Sequence, residues 1–285
     1  MSGKPERRIL YVQPSTKDSS NPGSIEKLDK MIQEYLDKNT LPGFKVDVRY
    51  IAYGGELPAS EYYISVSAPY IIEEIIRAEK EGFAGAIIGC FGNPALKEAR
   101  EVVKIPVVGP GTAACHLACL LGDKLGIIGT GARIEHKNLK LNEKYHHQFY
   151  YGIHRELQLE GLLDRVVCIR TTNRPANGGV TALADENLGG ETEALLEQGR
   201  KAIEEDGADV IVLGCALMIG TADILQEELG VPVVDPTLAA INIIEMLISM
   251  NLKQSVLSYP FTEVQAEKCN LMYPATLKGY HGYKG

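Results

Sequence analysis

The sequence contains one stretch twice, and this repeat constrains the fold more than any other feature. Residues 78–94 and residues 203–215 share the same order: a charged segment, a glycine, an apolar run and then Gly-Cys. The two cysteines, Cys90 and Cys215, are 125 positions apart. Each apolar run is short and follows a glycine, which is typical of a buried strand. The repeat therefore predicts two similar halves, each with a strand that leads into a cysteine.

A second pair of segments repeats at nearly the same spacing. Residues 105–108 read Ile-Pro-Val-Val and residues 231–234 read Val-Pro-Val-Val, and an Ala-Ala pair follows each after the same gap. The offset of this pair is 126 positions. Two independent motifs at one spacing indicate a duplicated domain of about 110 to 130 residues. We predict a first domain of residues 1–111 plus 236–285 and a second domain of residues 112–235.

Apolar runs alternate with amphipathic segments along the whole chain. The runs predicted as strands are residues 9–13, 46–51, 86–89, 106–108, 125–128, 166–170 and 210–213, together with the repeat at 231–234. Strands that alternate with helices are typical of parallel sheets covered by helices on both faces. The predicted fold class is α/β, with a parallel four-stranded sheet flanked by helices in each half.

Composition excludes several classes of function. The formal net charge is −8 and there is no long run of Lys and Arg, whereas nucleic-acid binding needs a concentrated basic face. No apolar run approaches the roughly 18 residues of a membrane span, and residues 1–8 are too polar for a signal segment. We therefore expect no nucleic-acid or membrane partner and a cytoplasmic location. Six cysteines are too few for a disulfide framework, so thiols are expected.

Cys90 and Cys215 are the strongest candidates for chemistry. A single cysteine at a strand end is most often a small apolar core residue. Two at matching positions of a repeat, at the carboxyl ends of parallel strands, favour a ligand site. Asn93 and Pro94 suit the N-cap and first position of a helix, so we predict a helix that begins three or four residues after Cys90. Its amide groups are expected to lower the pKa of this thiol.

Two thiols that face each other suit the inversion of a carbon stereocentre. One thiolate removes a proton from carbon, and the other thiol returns a proton to the opposite face. The carbanion needs a neighbouring carbonyl, whose oxyanion can accept hydrogen bonds from backbone N–H groups after each cysteine. This chemistry requires no cofactor and no metal when the substrate proton is already fairly acidic.

At these residues the chain is similar to the aspartate/glutamate/hydantoin racemase superfamily, and most similar to its hydantoin racemase branch. The matching segments are residues 9–16, 58–68, 89–94, 99–101, 107–109 and 212–216 with Met218. The resemblance implies two pseudo-symmetric α/β domains with the active site in the cleft between them. It also implies that Cys90 and Cys215 are the catalytic acid/base pair.

By position, the resemblance further implies a set of residues that contact the substrate. These are Pro14, Ser15, Thr16, Phe91, Gly92, Asn93, Thr130, Ala216 and Leu217. The amino-acid racemases usually have Asn-Thr after the first cysteine and Thr-Glu after the second, and neither pair is present here. Leu217 stands where the hydantoin branch commonly has Gly, a change that affects the shape of the pocket.

The sequence thus predicts a racemase that acts on 5-substituted hydantoins or on allantoin, with a small molecule as its partner. The same resemblance allows an aspartate- or glutamate-type racemase, a maleate-type cis/trans isomerase or a decarboxylase, although decarboxylases of this type have one catalytic cysteine. An alternative of another class is a binding protein without turnover.

Other motifs carry weaker predictions. Cys115, His116 and Cys119 resemble part of a metal site, but they lie on an apolar helix without a fourth ligand, which favours core packing. Residues 126–131 resemble a dinucleotide loop but lack the G-x-G-x-x-G order. Residues 145–154 are rich in Tyr and His and suit surface or subunit contacts. Aromatic residues of the tail, Tyr259, Phe261, Tyr273 and Tyr280, suggest a homo-oligomer or, equally, wrapping around the same chain.

Overall fold

The chain forms two parallel four-stranded sheets flanked by helices. The structure, a computed structural model, describes residues 6–17, 22–54, 61–129, 150–172 and 188–262. The strands of the first sheet are β1 (Arg7–Gln13), β2 (Phe44–Tyr50), β3 (Gly85–Ile88) and β4 (Val107–Val108). Those of the second are β5 (Leu125–Gly129), β6 (Val166–Thr171), β7 (Val210–Leu213) and β8 (Val233–Val234). The predicted fold class is confirmed.

Helices follow the strands in both halves. They are α1 (Pro22–Asn39), α2 (Glu61–Lys80), α3 (Leu96–Val102), α4 (Pro110–Ala118), α5 (Tyr150–Leu159), α6 (Leu188–Glu204), α7 (Ala222–Leu229) and α8 (Pro236–Ser249). A short 3-10 helix spans Leu163–Arg165. Among these helices none is long and apolar enough to cross a membrane.

The two sheets have the same strand order, as the repeat predicts. The order is β2-β1-β3-β4 in the first sheet and β6-β5-β7-β8 in the second, with every pair parallel. Equivalent hydrogen bonds join the central strands: Gly89 N donates to Val12 O at 2.8 Å, and Gly214 N donates to Ile128 O at 2.7 Å. The duplication therefore extends to individual backbone bonds, with residues 89 and 214 in matching places.

Two helices cross between the halves. Helix α4 follows the first sheet in sequence but packs against β7 and β8 of the second. Helix α8 follows the second sheet but packs against β3 and β4 of the first, and the two helices also pack against each other. The largest buried apolar cluster accordingly contains residues of both sheets, among them Ile9 and Ile87 from the first and Leu125 and Val212 from the second. Two smaller clusters fill the outer faces, one in each half.

The chain after α8 returns along the first half. The side chain of Gln254 lies against the edge strand β4, where Val107 N donates to Oε1 at 3.2 Å and Nε2 donates to Val107 O at 3.3 Å. Tyr259 accepts a hydrogen bond from Arg100 on α3, and Phe261 stacks against Lys104. The described aromatic residues of the tail thus wrap around their own chain. Tyr273 and Tyr280 lie outside the described residues, and the homo-oligomer stays a prediction.

Candidate functional site

Cys90 and Cys215 occupy equivalent places in the two halves. Each lies two residues beyond the central strand that ends its half of the repeat, β3 for Cys90 and β7 for Cys215. Each then begins a tight turn of the same geometry, because Asn93 N donates to Cys90 O at 3.1 Å and Met218 N donates to Cys215 O at 3.1 Å. Both cysteines are partly exposed and neither forms a disulfide. The structure therefore places both thiols at carboxyl ends of parallel strands, where α/β folds bind ligands.

The helix that follows each edge strand holds the turn after the cysteine. In the first half, a Cβ at Gly111 would overlap the carbonyl oxygen of Phe91, so only glycine allows this approach of α4. In the second half Thr237 takes the equivalent position on α8, and its hydroxyl donates to the carbonyl oxygen of Ala216 at 2.7 Å. Both turns are therefore fixed by the first residues of a helix, through close packing in one half and a hydrogen bond in the other.

The caps of these two helices come from different places. In the first half Asn93 in the turn accepts a hydrogen bond from Gly111 N at 3.2 Å and donates to Thr112 Oγ1 at 3.0 Å. In the second half the cap is Asp235, whose Oδ1 accepts from Thr237 N at 2.7 Å and from Leu238 N at 3.0 Å. Both solutions satisfy amide groups that a helix N-terminus leaves without partners.

The structure corrects the prediction made for Asn93. Helix α3 begins at Leu96, with Ala95 before it, and not at Pro94. Asn93 has a φ of 48° and Ala95 a φ of 59°, so the chain passes through left-handed conformations before the helix can start. Asn suits this conformation because its short polar side chain bonds locally. The residue caps the N-terminus of α4 instead of that of α3.

The side chain of Tyr11, in β1, lies near the turns that follow Cys90 and Cys215. Its side chain is 1% exposed, and its hydroxyl is 3.5 Å from Thr237 Oγ1 on α8. Burial raises the pKa of Tyr11 well above its usual value, and the nearby Asp235, Cys90 and Cys215 contribute to the rise. Tyr11 therefore stays protonated, and it joins the first sheet to the helix that holds the Cys215 turn.

The electrostatics of Cys90 differ from those predicted. Burial raises the pKa of the Cys90 thiol to about 12, and negative charge at Cys215 contributes to the rise. The backbone N–H of Gly92 acts in the opposite direction, because it donates to the sulfur. The predicted lowering of this pKa by a helix N-terminus is thus wrong: the helix begins too far along the chain, and desolvation of the thiolate is the larger effect.

Most residues predicted to contact the substrate either follow one of the cysteines in the chain or follow strand β1, which pairs with β3. Pro14 and Ser15 are buried directly after β1, next to the partly exposed Thr16. Phe91 and Ala216 are the buried residues after the two cysteines, and Gly92 and Leu217 follow them. Thr130 lies outside the described residues. The amide of Asn93 is 4% exposed and bonded within the protein, so its contact with substrate stays a prediction.

Sequence reasoning missed three residues that the structure brings to this region: Tyr11, Gln13 and Thr237. Tyr11 and Gln13 are in a run that is otherwise apolar, and polar atoms in a buried strand need partners. Thr237 stands at the repeat position of Gly111, and comparison of the two copies would have drawn attention to it. The repeat aligns the two cysteines, and it also identifies the residues that differ between the halves.

The other candidate groups do not join the site. Cys115 is buried in the core, while His116 points outwards and lies 3.3 Å from Glu160. Cys168 is buried in β6, and burial raises its pKa to about 12. Within the described ranges no three His, Cys, Asp or Glu side chains come together in a way that would hold a metal. Residues 131–149, with most of the Tyr- and His-rich block, lie outside the described residues.

Comparisons with known proteins agree on one family. Residues 20–244 match the family described as Asp/Glu/Hydantoin racemase. The chain is 36% identical over 210 residues to the hydantoin racemase of Pseudomonas sp. (strain NS671), with 72% of this chain and 76% of that protein covered. It is 30% identical over 236 residues to the hydantoin racemase of Paenarthrobacter aurescens, with 82% and 92% covered. The solved allantoin racemase from Klebsiella pneumoniae superposes with a TM-score of 0.75 at 27% identity, over 91% of this chain and 95% of that chain.

Proposed function

The chain belongs to the Asp/Glu/hydantoin racemase family, and we propose that it is a cofactor-independent racemase that uses Cys90 and Cys215 as its acid/base pair. The substrate would be a cyclic ureide, either a 5-substituted hydantoin or allantoin. The names of the similar proteins favour this class, since hydantoin racemases and an allantoin racemase are among them.

One observation carries the proposal: two thiols follow equivalent strands and begin matching turns of a duplicated fold. Removal and return of a proton on opposite faces of a carbon needs two groups on opposite sides of the substrate. A duplicated fold with a cysteine in each copy supplies two such groups of equal chemistry. Equal groups suit a racemase, because the forward and reverse reactions are mirror images of each other.

The proposed reaction proceeds in two proton transfers. The thiolate of one cysteine takes the proton from C5 of the ring, and the electron pair of that C–H bond moves into the adjacent carbonyl as an enolate. The thiol of the other cysteine then gives its proton to the opposite face of C5 as the carbonyl re-forms. The thiol and thiolate have then exchanged places, so the next turnover runs in the opposite direction.

The raised pKa of Cys90 assigns its resting role. A thiol with a pKa of about 12 keeps its proton at neutral pH, so Cys90 is ready to donate in the unliganded protein. When it acts as the base, the Gly92 N–H at its sulfur stabilises the negative charge. The N–H groups of Asn93 and Met218 already donate to the cysteine carbonyls. We therefore assign the oxyanion to the earlier N–H groups of each turn, which in the first half leaves that of Phe91, because the Gly92 N–H donates to the Cys90 sulfur.

The test follows the hydrogen at C5 by proton NMR in D₂O. Single enantiomers of several hydantoins and of allantoin are incubated with the reduced protein, with aspartate and glutamate as alternative substrates and protein-free samples for spontaneous exchange. Wild-type protein should exchange C5–H and lose optical activity together. Cys90→Ala and Cys215→Ala should each lose racemisation, and each should retain at most exchange with one enantiomer, a different one for each variant.

Cys119→Ala is the matched control, because this thiol is partly exposed but lies at the end of α4. It should racemise at the rate of the wild type. Full racemisation by Cys90→Ala or Cys215→Ala would refute the two-cysteine mechanism. Turnover of aspartate or glutamate alone would refute the substrate class, and binding of a hydantoin without exchange would favour a binding protein.

A further inference from the structure

Gln13 is a buried polar residue whose side-chain oxygen has no hydrogen-bond partner. It is the last residue of β1, and its side chain is 3% exposed. Its backbone carbonyl accepts from Ile51 N at 3.4 Å, but its side-chain Oε1 accepts from no group in the part of the chain that the structure describes. Such an oxygen loses its contacts with water and gains nothing in return, so it calls for an explanation.

The position of this side chain places it beside the first catalytic turn. A Cβ at Gly89, the residue before Cys90, would lie 2.7 Å from Gln13 Oε1 and would also overlap the ring of Tyr11. Gly89 therefore leaves room for the Gln13 carboxamide one residue away from the thiol. Because side chains alternate along a strand, Gln13 lies on the same face of β1 as Tyr11. Negative charge at either Cys90 or Cys215 raises the pKa of Tyr11.

The matching position of the second half carries no side chain. The backbone bonds from Gly89 to Val12 and from Gly214 to Ile128 align the ends of β1 and β5, so the counterpart of Gln13 is Gly129. The cysteines are duplicated, but at this position a carboxamide is present in the first half alone. A single carboxamide beside two thiols makes the site asymmetric. An asymmetric site suits a ligand that has to be held in one orientation.

We propose that the carboxamide of Gln13 binds the ring amide of the substrate and so selects cyclic ureides over free amino acids. In this proposal Oε1 accepts a ring N–H, and Nε2 of the same carboxamide donates to the adjacent ring carbonyl. A primary carboxamide matches the cis N–H and C=O of a five-membered ring, because both present a donor and an acceptor side by side. A free amino acid has acceptors on its carboxylate and donors on its tetrahedral ammonium group, so it lacks the coplanar donor and acceptor of the ring. This inference rests on the proposed function and names the group that recognises the ring.

The experiment compares ring substrates with and without the N–H in two variants. The substrates are a 5-substituted hydantoin and its N1- and N3-methyl derivatives, and the measured quantity is kcat/KM for C5–H exchange. Wild-type protein should prefer the unmethylated ring to one of the two methyl derivatives by about 10- to 100-fold, because a site that hydrogen-bonds a ring N–H rejects the analogue without it. In Gln13→Met, which has similar length and no hydrogen-bonding group, this preference should fall to below about threefold.

If Gln13 instead stabilised the fold, Gln13→Met would unfold at a lower temperature than the wild type. The proposed binding role predicts no such loss. Gln13 Oε1 has no partner to lose, so Gln13→Met should unfold at the same temperature as the wild type or higher. Gln158→Met is the matched control, because it makes the same chemical change at an exposed position of α5 and should keep the wild-type preference.

The outcomes separate this inference from the proposed function. If the wild type acts on hydantoins and Gln13→Met keeps the full preference for the unmethylated ring, the assignment of Gln13 is wrong and the racemase remains. If the wild type exchanges no ring substrate at all, the proposed function is refuted, and the recognition of the ring is refuted with it.

Discussion

The surroundings of Cys90 oppose the ionisation of its thiol. Cys90 and Cys215 begin turns with the same backbone hydrogen bond, and in the first of these turns the thiol has a raised pKa. The larger cause is burial of the sulfur, and the smaller is the second thiol, since two thiolates side by side repel each other. A pair of this kind favours at most one negative charge at a time, which is the state that a two-base proton exchange uses.

We predict that Cys90 in the unliganded protein is alkylated slowly and with an unusual dependence on pH. Only the thiolate reacts, and a pKa of about 12 lies far above the value of 9.0 for an unperturbed thiol. Between pH 7 and pH 10 the rate of reaction with iodoacetamide should rise about tenfold for each unit of pH, without the plateau of an ordinary thiol near pH 9. Peptide mass spectrometry reads the rate at Cys90 alone, and glutathione serves as the reference.

The same shift has a consequence for stability. The folded pKa of Cys90 is raised, so above pH 9 the unfolded chain releases this proton while the folded chain keeps it. The contribution of Cys90 to the free energy of unfolding should therefore decrease as pH rises from about 9 towards 12. In the alkylation experiment described above, a plateau in the rate at Cys90 near pH 9 would contradict the raised pKa of this thiol.

At the scale of elements, the two halves build the same site with different parts. The turn after Cys90 supplies Asn93 to cap helix α4, whereas helix α8 carries its own cap, Asp235. Asp235 also accepts a hydrogen bond from Tyr35 of α1 at 2.8 Å, so this cap ties the second half to a helix of the first. The cysteine turns are therefore connected to different neighbours, although their backbones match.

The sequence predicted the elements better than it predicted their caps. The strands before both cysteines were placed correctly, because short apolar runs between glycines have few other structures available. Asn93-Pro94 was interpreted as a helix start from local preferences alone. The structure instead uses Asn93 in a long-range bond to Gly111, and no local pattern reports a partner 18 residues away. The order of strands and helices in the two halves can be predicted without knowledge of tertiary contacts, whereas the residues that cap the helices cannot.

The capping role of Asn93 predicts the effect of its replacement. Asn93→Ala should lower the free energy of unfolding by about 2 to 3 kcal/mol, because it removes a cap worth about 1 kcal/mol and forces Ala into a left-handed conformation that costs about 1 to 2 kcal/mol. Urea denaturation measures this loss. Ala95→Gly, two residues along, is the control: Gly relieves the strain at φ 59°, and stability should stay within about 1 kcal/mol of the wild type. Equal losses in the two variants would refute the capping role.

At the scale of the whole molecule, the two sheets are joined by the exchange of helices α4 and α8. Each helix follows one sheet in sequence and packs against the other, and the apolar cluster between them takes residues from both. The repeat predicted two halves but not this exchange, because spacing in a sequence does not say which sheet a helix covers. We retain as a proposal the division into residues 1–111 plus 236–285 and residues 112–235, with the active site in the cleft between them.

The exchange predicts that the two halves unfold together. Ile75 lies in the apolar cluster on the outer face of the first half, and Leu195 lies in the corresponding cluster of the second; both side chains are 0% exposed. Replacement of either by Ala should cost about 2 to 5 kcal/mol of unfolding free energy through the lost burial and the cavity that remains.

If the central cluster couples the halves, calorimetry should show one transition in the wild type, and each variant should shift that whole transition downwards by on the order of 5 to 10 °C. Independent halves would instead give two transitions, of which Ile75→Ala lowers one and Leu195→Ala the other. Because each thiol belongs to a different half, a single transition would also mean that destabilisation of either half removes the whole pair of cysteines from the folded population at the same temperature.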